Sequence, residues 1–206
     1  MKPSPRPTRQ HLEDAIHHKL RDVIAPGLRV LFCGINPGLY STAAGHHFAR
    51  PGNRFWPALR ASGFTPRLFH PSEDGHLLKL KLGVTNIVAR TTATADQLTK
   101  AELLQGAKIL RRKLLRFRPV FLAVVGLGAY RLAFEQPIAA IGLQPDTVGS
   151  TRIWLLPNTS GLNAHHQIAD LAKLFSDLRA SASDLSDKDI AGPGNKPHKR
   201  PTEPRS

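Results

Sequence analysis

The sequence predicts an α/β fold, a three-layer α/β/α arrangement around a central, mainly parallel sheet of four or five strands. Four short apolar runs have the length and the Val, Ile, Leu and Phe content of buried strands, and segments with helical spacing of apolar residues separate them. Strands that alternate with helices form a parallel sheet covered on both faces. The predicted strands are residues 29–33, 83–88, 120–125 and 152–156.

Helical patterns fill most of the segments between these strands. The longest covers residues 99–117, where Leu103, Leu110 and Leu114 recur with helical spacing, and Thr99 and Glu102 have the spacing of a capping box. Further helices are predicted at residues 11–24, 53–61 and 168–178.

The 206 residues fit one domain with a tail at each end. We expect a basic N-terminal arm at residues 1–24, partly disordered or helical, a folded domain at 25–180, and a disordered polar and basic tail at 181–206, because Pro, Ser, Gly and charged residues dominate both ends. The formal net charge of +14 predicts an anionic partner, since clustered Lys and Arg displace counterions from phosphates.

Cys33 is the only cysteine and lies in an apolar run, so it is predicted to be a buried packing residue. One cysteine excludes an intramolecular disulfide and a four-thiolate metal or iron–sulfur site within one chain. No run of 18 apolar residues occurs, and no apolar stretch follows the positive start. We therefore expect a soluble, cytoplasmic protein without a membrane-spanning segment; the net charge alone does not distinguish DNA, RNA or an acidic membrane surface as the anionic partner.

Three polar segments follow predicted strands, at residues 34–38, 86–92 and 158–163. In such a sheet, ligands bind beyond the carboxyl ends of the strands, so the three segments are expected to face one crevice. Asn36 sits in a Gly-Ile-Asn-Pro-Gly turn, where its amide could hold a water molecule; the alternative is an Asn-Pro turn whose side chain binds its own backbone. The turn is neither a Walker A loop nor a three-glycine dinucleotide motif.

The segment 45–56 places an aromatic ring among small and basic residues. Phe48 is suited to stacking on an unpaired base, whereas Phe55 and Trp56 are predicted to begin a helix and enter the core. His46 and His47 project differently and have no carboxylate or Cys close by in the sequence, so polar contacts are favoured over a metal site. Plain surface histidines remain the alternative.

The segment 158–163 ends the last strand with small residues and then presents Leu162. An apolar residue on a small-residue loop can enter a base stack and fill the space left by an extruded nucleotide. The alternative is an ordinary helix start, capped by Asn163.

Four segments, in order along the chain, resemble the mismatch-specific uracil/thymine-DNA glycosylases. They are residues 34–39, 45–56, 84–92 and 156–162, and the resemblance spans residues 24–178. The Gly-His-His-Phe-Ala and Thr-Asn-Ile-Val-Ala-Arg-Thr-Thr motifs are closer to the thymine-processing branch than to uracil-only enzymes. The resemblance implies a uracil-DNA glycosylase-like fold, no cofactor and no metal.

The resemblance also implies a role for each matched residue. Asn36 would position the hydrolytic water below the sugar C1′, with Thr92 as a second polar neighbour. In the implied base pocket, Phe48 would stack on the flipped base, and the backbone N–H groups of Phe48 and Ile35 and the amide of Asn86 would address the base edge. Ser41 and His47 would lie near the 5-substituent of the base. Asn158 would help to shape the catalytic side of the pocket. The implied DNA wedge is Gly161, Leu162 and Asn163.

The resemblance implies a monofunctional DNA glycosylase that hydrolyses the N-glycosidic bond of uracil, thymine or other damaged pyrimidines mispaired with guanine. Its substrate would be double-stranded DNA, and the reaction would start base excision repair. The protein is expected to be a DNA-associated monomer with no membrane partner. Family members often carry an Arg in or beside the wedge, where Leu162 and Ala164 stand here, so contacts to the opposite guanine are not implied. No Lys lies inside the matched motifs, which excludes a Schiff base formed there. A catalytically inactive damaged-DNA binding protein is the alternative; a nucleotide hydrolase is weaker because no carboxylate cluster suits Mg²⁺.

Overall fold

A computed structural model of the chain describes residues 6–161 and 166–184. Its centre is a five-stranded sheet in the order β2-β1-β3-β5-β4, in which β2, β1, β3 and β5 are parallel and β4 pairs antiparallel with β5. The predicted three-layer α/β/α fold is confirmed. The strands are β1 Val30–Gly34, β2 Leu82–Asn86, β3 Phe121–Val125, β4 Gly142–Val148 and β5 Thr151–Leu156.

Helices cover both faces of the sheet. The α-helices are α1 Arg9–Asp14, α2 Leu39–Ala44, α3 Phe55–Ala61, α4 Lys100–Phe117, α5 Leu127–Ala133 and α6 Ile168–Ser183; 3₁₀ helices are Ala15–His17, Pro71–Leu80 and Ala95–Gln97. Thr99 caps α4 through the predicted capping box with Glu102. None of the helices in the described part of the chain is long and apolar enough to cross a bilayer.

The two faces of the sheet bury separate hydrophobic clusters, because successive side chains of a strand point to opposite faces. On one face, Leu31 and Cys33 of β1 pack with Leu110 of α4. On the other, Phe32 packs with Phe55 of α3 and Phe175 of α6, at ring centroid distances of 5.4 and 5.8 Å. Cys33 is fully buried as predicted, and burial raises the pKa of its thiol far above the ordinary range.

The edge strand β4 is the main element that the apolar patterns do not predict. It carries Gln144, Pro145 and Asp146, and most of its residues are exposed or only half-buried. Proline lacks an N–H and is tolerated on edge strands, where one side needs no pairing. β4 therefore lacks the apolar run that predicts each of the four parallel strands.

The segment before β1 differs from the predicted helix at 11–24. Helical structure ends at His17, and residues 18–23, here called the N-terminal strap, have no regular secondary structure apart from a β-bridge at Val23. Val23 forms an antiparallel bridge to Val84 of β2, with N···O distances of 2.9 and 2.8 Å. At the other end, α6 continues to Ser183, past the expected start of the tail. Residues 1–5 and 185–206 lie outside the described residues.

Candidate active site

A cavity of about 360 Å³ lies at the carboxyl ends of the parallel strands. The strand register places these ends side by side, since Gly34 pairs with Asn86 and Val125 with Leu156. All eight residues predicted to act in catalysis or base binding line this cavity: Ile35, Asn36, Ser41, His47, Phe48, Asn86, Thr92 and Asn158. The three polar segments thus face one crevice, as the sheet geometry predicts.

Asn36 follows β1 and is half-buried, with its side chain at the cavity wall. Its Nδ2 donates to the backbone oxygens of Arg90 at 2.9 Å and Pro37 at 3.3 Å, and to Thr92 Oγ1 at 2.6 Å. Backbone carbonyls only accept hydrogen bonds, so the atom that faces them must be the nitrogen. The amide orientation is thereby fixed, and Oδ1 is left as an acceptor that bonds to none of the described residues.

Thr92 locks this arrangement from the neighbouring loop. It is 2 % exposed, and its hydroxyl donates to the Thr94 carbonyl at 2.8 Å while it accepts from Asn36. The two loops are also joined through their backbones, because Thr92 N donates to Pro37 O and Leu39 N donates to Thr92 O, each at 3.2 Å. Thr92, expected as a second polar neighbour of Asn36, thus contacts it through a direct hydrogen bond.

His47 is a buried, oriented side chain with 2 % exposure. Its Nε2 lies 2.9 Å from the Arg21 carbonyl, which can only accept, so Nε2 carries the proton. Nδ1 is then the acceptor that faces Asn86 Nδ2 at 3.4 Å. Burial lowers the pKa of His47, and the bond to the Arg21 carbonyl and the charge of Asp74 oppose that shift only in part. The ring is thus neutral at pH 7.

Asn86 ends β2 and is half-buried with its amide at the cavity. The contact from Nδ2 to His47 fixes which end of the amide faces the histidine, and Oδ1 lies against Gly34 of β1. A Cβ atom added at Gly34 would be only 2.5 Å from this Oδ1. Glycine at position 34 therefore makes room for the Asn86 amide, a requirement that the sequence motif does not reveal.

Phe48 has a strained backbone and a supported ring. Its φ of +53° is in the left-handed region, which is uncommon for a non-glycine residue. The ring stacks on Phe55 with centroids 4.0 Å apart and planes at 21°, while it also lines the cavity. Backbone strain of this kind persists only where the surroundings impose it, and it is common at ligand sites.

Ser41 supports the loop that carries Phe48. It is 7 % exposed, and its Oγ accepts a hydrogen bond from the backbone N–H of Ala49 at 3.1 Å. Trp56 Nε1 donates to the carbonyl of His47 at 3.2 Å from the other side of the loop. The hydroxyl of Ser41 is thus engaged within the protein, and its small side chain forms a wall of the cavity.

Asn158 begins the third polar segment with an Asx turn, in which its Oδ1 accepts from Ser160 N at 2.9 Å. The segment is tied to residues 52–54: Thr159 Oγ1 donates to Asn53 Oδ1 at 3.0 Å, and Arg54 donates to the carbonyls of Ser160, at 2.7 Å, and His166. Gly161 approaches Gly52 closely. Of the predicted wedge, only Gly161 is described; Leu162 and Asn163 lie outside the described residues.

The described lining of the cavity includes no Asp or Glu, and Arg50 is its one charged residue. Among the described residues, no group of three or more His, Cys, Asp or Glu is placed to hold a metal ion. His47 is engaged by Arg21 and Asn86, and His46 lies 3.3 Å from the Asp74 carboxylate through Nδ1. The polar side chains of the described lining, apart from Arg50, are thus amides, hydroxyls and the neutral imidazole of His47.

Three further lining residues matter to the cavity but are not among the predicted site residues. Gly34 admits the Asn86 amide, Asn53 joins two of the loops, and Leu20 of the N-terminal strap lines the wall. Asn53 could have been suspected from its place in Gly-Asn-Arg-Phe-Trp, before a helix. No sequence pattern marks Leu20, because a single leucine among polar residues does not indicate a functional position.

Comparison with known protein families agrees with the geometry of the cavity. The sequence model of the uracil DNA glycosylase superfamily matches residues 21–179, which contain the whole sheet and every described cavity residue except Leu20. The match covers well over half of the chain. Membership of this superfamily indicates DNA glycosylase activity and action on DNA. The chain belongs to the uracil DNA glycosylase superfamily.

Proposed function

We propose that this protein is a monofunctional, monomeric DNA glycosylase that removes uracil, and also thymine, from mispairs with guanine. The observation that carries the proposal is the orientation of Asn36, whose Nδ2 is held by Thr92 Oγ1 and the Arg90 carbonyl. Its Oδ1 is then free to accept a hydrogen bond from a water molecule. The mismatch-specific branch is proposed because its motifs at 45–56 and 84–92 match this sequence.

In the proposed reaction, the water held by Asn36 adds to C1′ of the flipped deoxynucleotide. The bond between C1′ and N1 of the base breaks, and its electron pair leaves with the base. The products are an abasic deoxyribose that carries a hydroxyl at C1′ and the free pyrimidine, which takes up the proton that the water loses. An amide is a very weak base, so the leaving group must depart early and turnover must be slow.

Stabilisation of the departing pyrimidine anion is assigned to hydrogen-bond donors around the base. Donors that are already oriented toward developing charge need no rearrangement during the reaction. Phe48 would stack on the base, the backbone N–H groups of Ile35 and Phe48 would face its edge, and Asn86 would read that edge through an amide oriented by His47. The net charge of +14 would favour binding to the DNA backbone.

Preference for guanine mispairs is proposed from the cost of base extrusion. A mispaired base costs less to extrude than a paired one, so G·U and G·T pairs should be processed before A·T. Leu162 is proposed to fill the vacated space in the stack.

The direct test incubates the purified protein with a duplex that contains one G·U pair and then treats the DNA with alkali. Cleavage at the uracil position only after alkali is expected, since hydrolysis leaves an intact abasic strand. Strand scission without alkali would contradict the monofunctional mechanism. Binding to the G·U duplex without any alkali-labile product would favour the second candidate, a catalytically inactive damaged-DNA binding protein with the same cavity.

A further inference from the structure

We propose that Leu20 determines specificity by forming an apolar wall of the base cavity beside the 5-substituent of the pyrimidine, so that apolar 5-substituents are favoured. The inference rests on the proposed function and adds to it a preference among pyrimidines that differ in the 5-substituent. Leu20 precedes the matched superfamily region and all four motifs. It is half-buried and lines the cavity together with His47 and Ser41.

The strap holds Leu20 in place through the residues on either side of it. The His18 carbonyl accepts from Thr91 Oγ1 at 2.9 Å, and the Arg21 carbonyl accepts from His47 Nε2 at 2.9 Å. Leu20 thus lies between two backbone anchors, each bonded to a buried side chain of the domain.

A second pair of contacts fixes the strap to the sheet. Asp22 accepts from Thr85 Oγ1 at 2.7 Å and pairs with Lys113 of α4 at 2.5 Å, and Val23 bridges to Val84. Thr85 is fully buried, directly before Asn86. The strap is therefore a fixed part of the cavity wall, so its side chain at position 20 presents a defined apolar surface to a bound base.

The anchors also place Leu20 on a particular side of the cavity. Arg21 is bonded to His47, and Thr91, which binds the His18 carbonyl, lies 2.8 Å from Thr42, the neighbour of Ser41. His47 and Ser41 are the residues proposed to face the 5-position of the base. An apolar side chain there gains contact with a methyl or halogen substituent and gains nothing with the hydrogen of uracil.

The test compares excision of 5-bromouracil and 5-fluorouracil opposite guanine in single turnover. Both halogens withdraw electrons from the ring, so the ratio of the two rates reports mainly on the size of the 5-substituent. Leu20→Ala is expected to lower the bromo-to-fluoro ratio about tenfold, the lower end of the range for one lost apolar contact in a pocket. Leu20→Met keeps an apolar side chain of similar volume and should keep the ratio.

Ile16→Ala is the matched control, because Ile16 precedes the strap, is 53 % exposed and does not line the cavity. Its ratio should equal that of the unchanged protein. Loss of folding would lower both rates together and leave the ratio unchanged. The stability of each variant is measured separately by its thermal unfolding midpoint. A ratio that is unchanged or raised in folded Leu20→Ala would overturn the inference. Absence of excision of any base by the unchanged protein would refute the proposed function, and this inference with it.

Discussion

Replacement of Gly34 by Ala tests whether the position of the Asn86 amide controls activity. The added Cβ would lie 2.5 Å from Asn86 Oδ1 and 3.4 Å from the tip of the Phe48 ring. Ordinary contact begins at 3.4 Å, so the amide oxygen must move by about 0.9 Å. A misplacement of about 1 Å at a reacting centre can reduce the rate roughly 100-fold.

The assay is the single-turnover excision of uracil from a G·U duplex, together with urea unfolding of the same variant. The rate is expected to fall roughly 30-fold to 100-fold, whereas stability should change little, because the colliding atom is the end of a side chain and the backbone of Gly34 does not need a positive φ. Gly128→Ala on α5 is the matched control, since its added Cβ would meet no atom within 4 Å apart from its chain neighbours and the adjacent backbone of its own helix. It should leave the rate unchanged.

A Gly34→Ala variant with an unchanged rate would refute the reasoning, because excision would then tolerate a displaced Asn86 amide. A rate that falls only in proportion to the unfolded fraction would also refute it. The two measurements together separate displacement of Asn86 from general damage to the fold.

Three other predictions concern the cavity and its borders. Thr92→Val removes one of the three acceptors of Asn36 Nδ2 and should slow excision about 10-fold, a loss matched to one buried hydrogen bond; a single-turnover rate within twofold of the unchanged protein would contradict a role of Thr92 in positioning Asn36. Burial lowers the pKa of His47 in the folded protein below its unfolded value of 6.5. Between the folded and the unfolded pKa, the unfolded chain therefore binds more protons than the folded one. The stability that neutral His47 contributes should be complete above pH 6.5 and should fall as the pH drops toward the folded pKa. Urea midpoints measured across this window should show that slope in the unchanged protein and a weaker one in His47→Gln; equal slopes would disprove it. Leu162→Ala should reduce excision from duplex DNA far more than from single strands, and equal losses on both would argue against a wedge.

The sequence predicts the parallel part of the sheet well, because buried strands are rich in Val, Ile, Leu and Phe. The four apolar runs correspond to β1, β2, β3 and β5, and Thr99 with Glu102 marks the start of α4. The edge strand β4 is missed since exposure on an edge removes the apolar run, and Pro145 argues against a strand in isolation.

The cavity residues are predicted by position, and their orientation is not. The place of Asn36 and Asn86 after parallel strands predicts that both face one crevice, and both line the cavity. Neither the bond between Asn36 and Thr92 nor the tautomer of His47 follows from spacing, because each depends on contacts between segments far apart in the chain. For the same reason the sequence predicts a basic arm over residues 1–24, and it does not reveal that Asp22 and Val23 bind the sheet.

The proposed mechanism depends on one atom, Oδ1 of Asn36, and on the water it would hold. The most direct measurement is the single-turnover rate of Asn36→Ala on a G·U duplex, with the protein at a concentration that saturates the DNA and with binding checked by fluorescence anisotropy. A rate reduced about 100-fold or more, with unchanged affinity for the duplex, is the result that the mechanism predicts. A rate within twofold of that of the unchanged protein would show that another group directs the water.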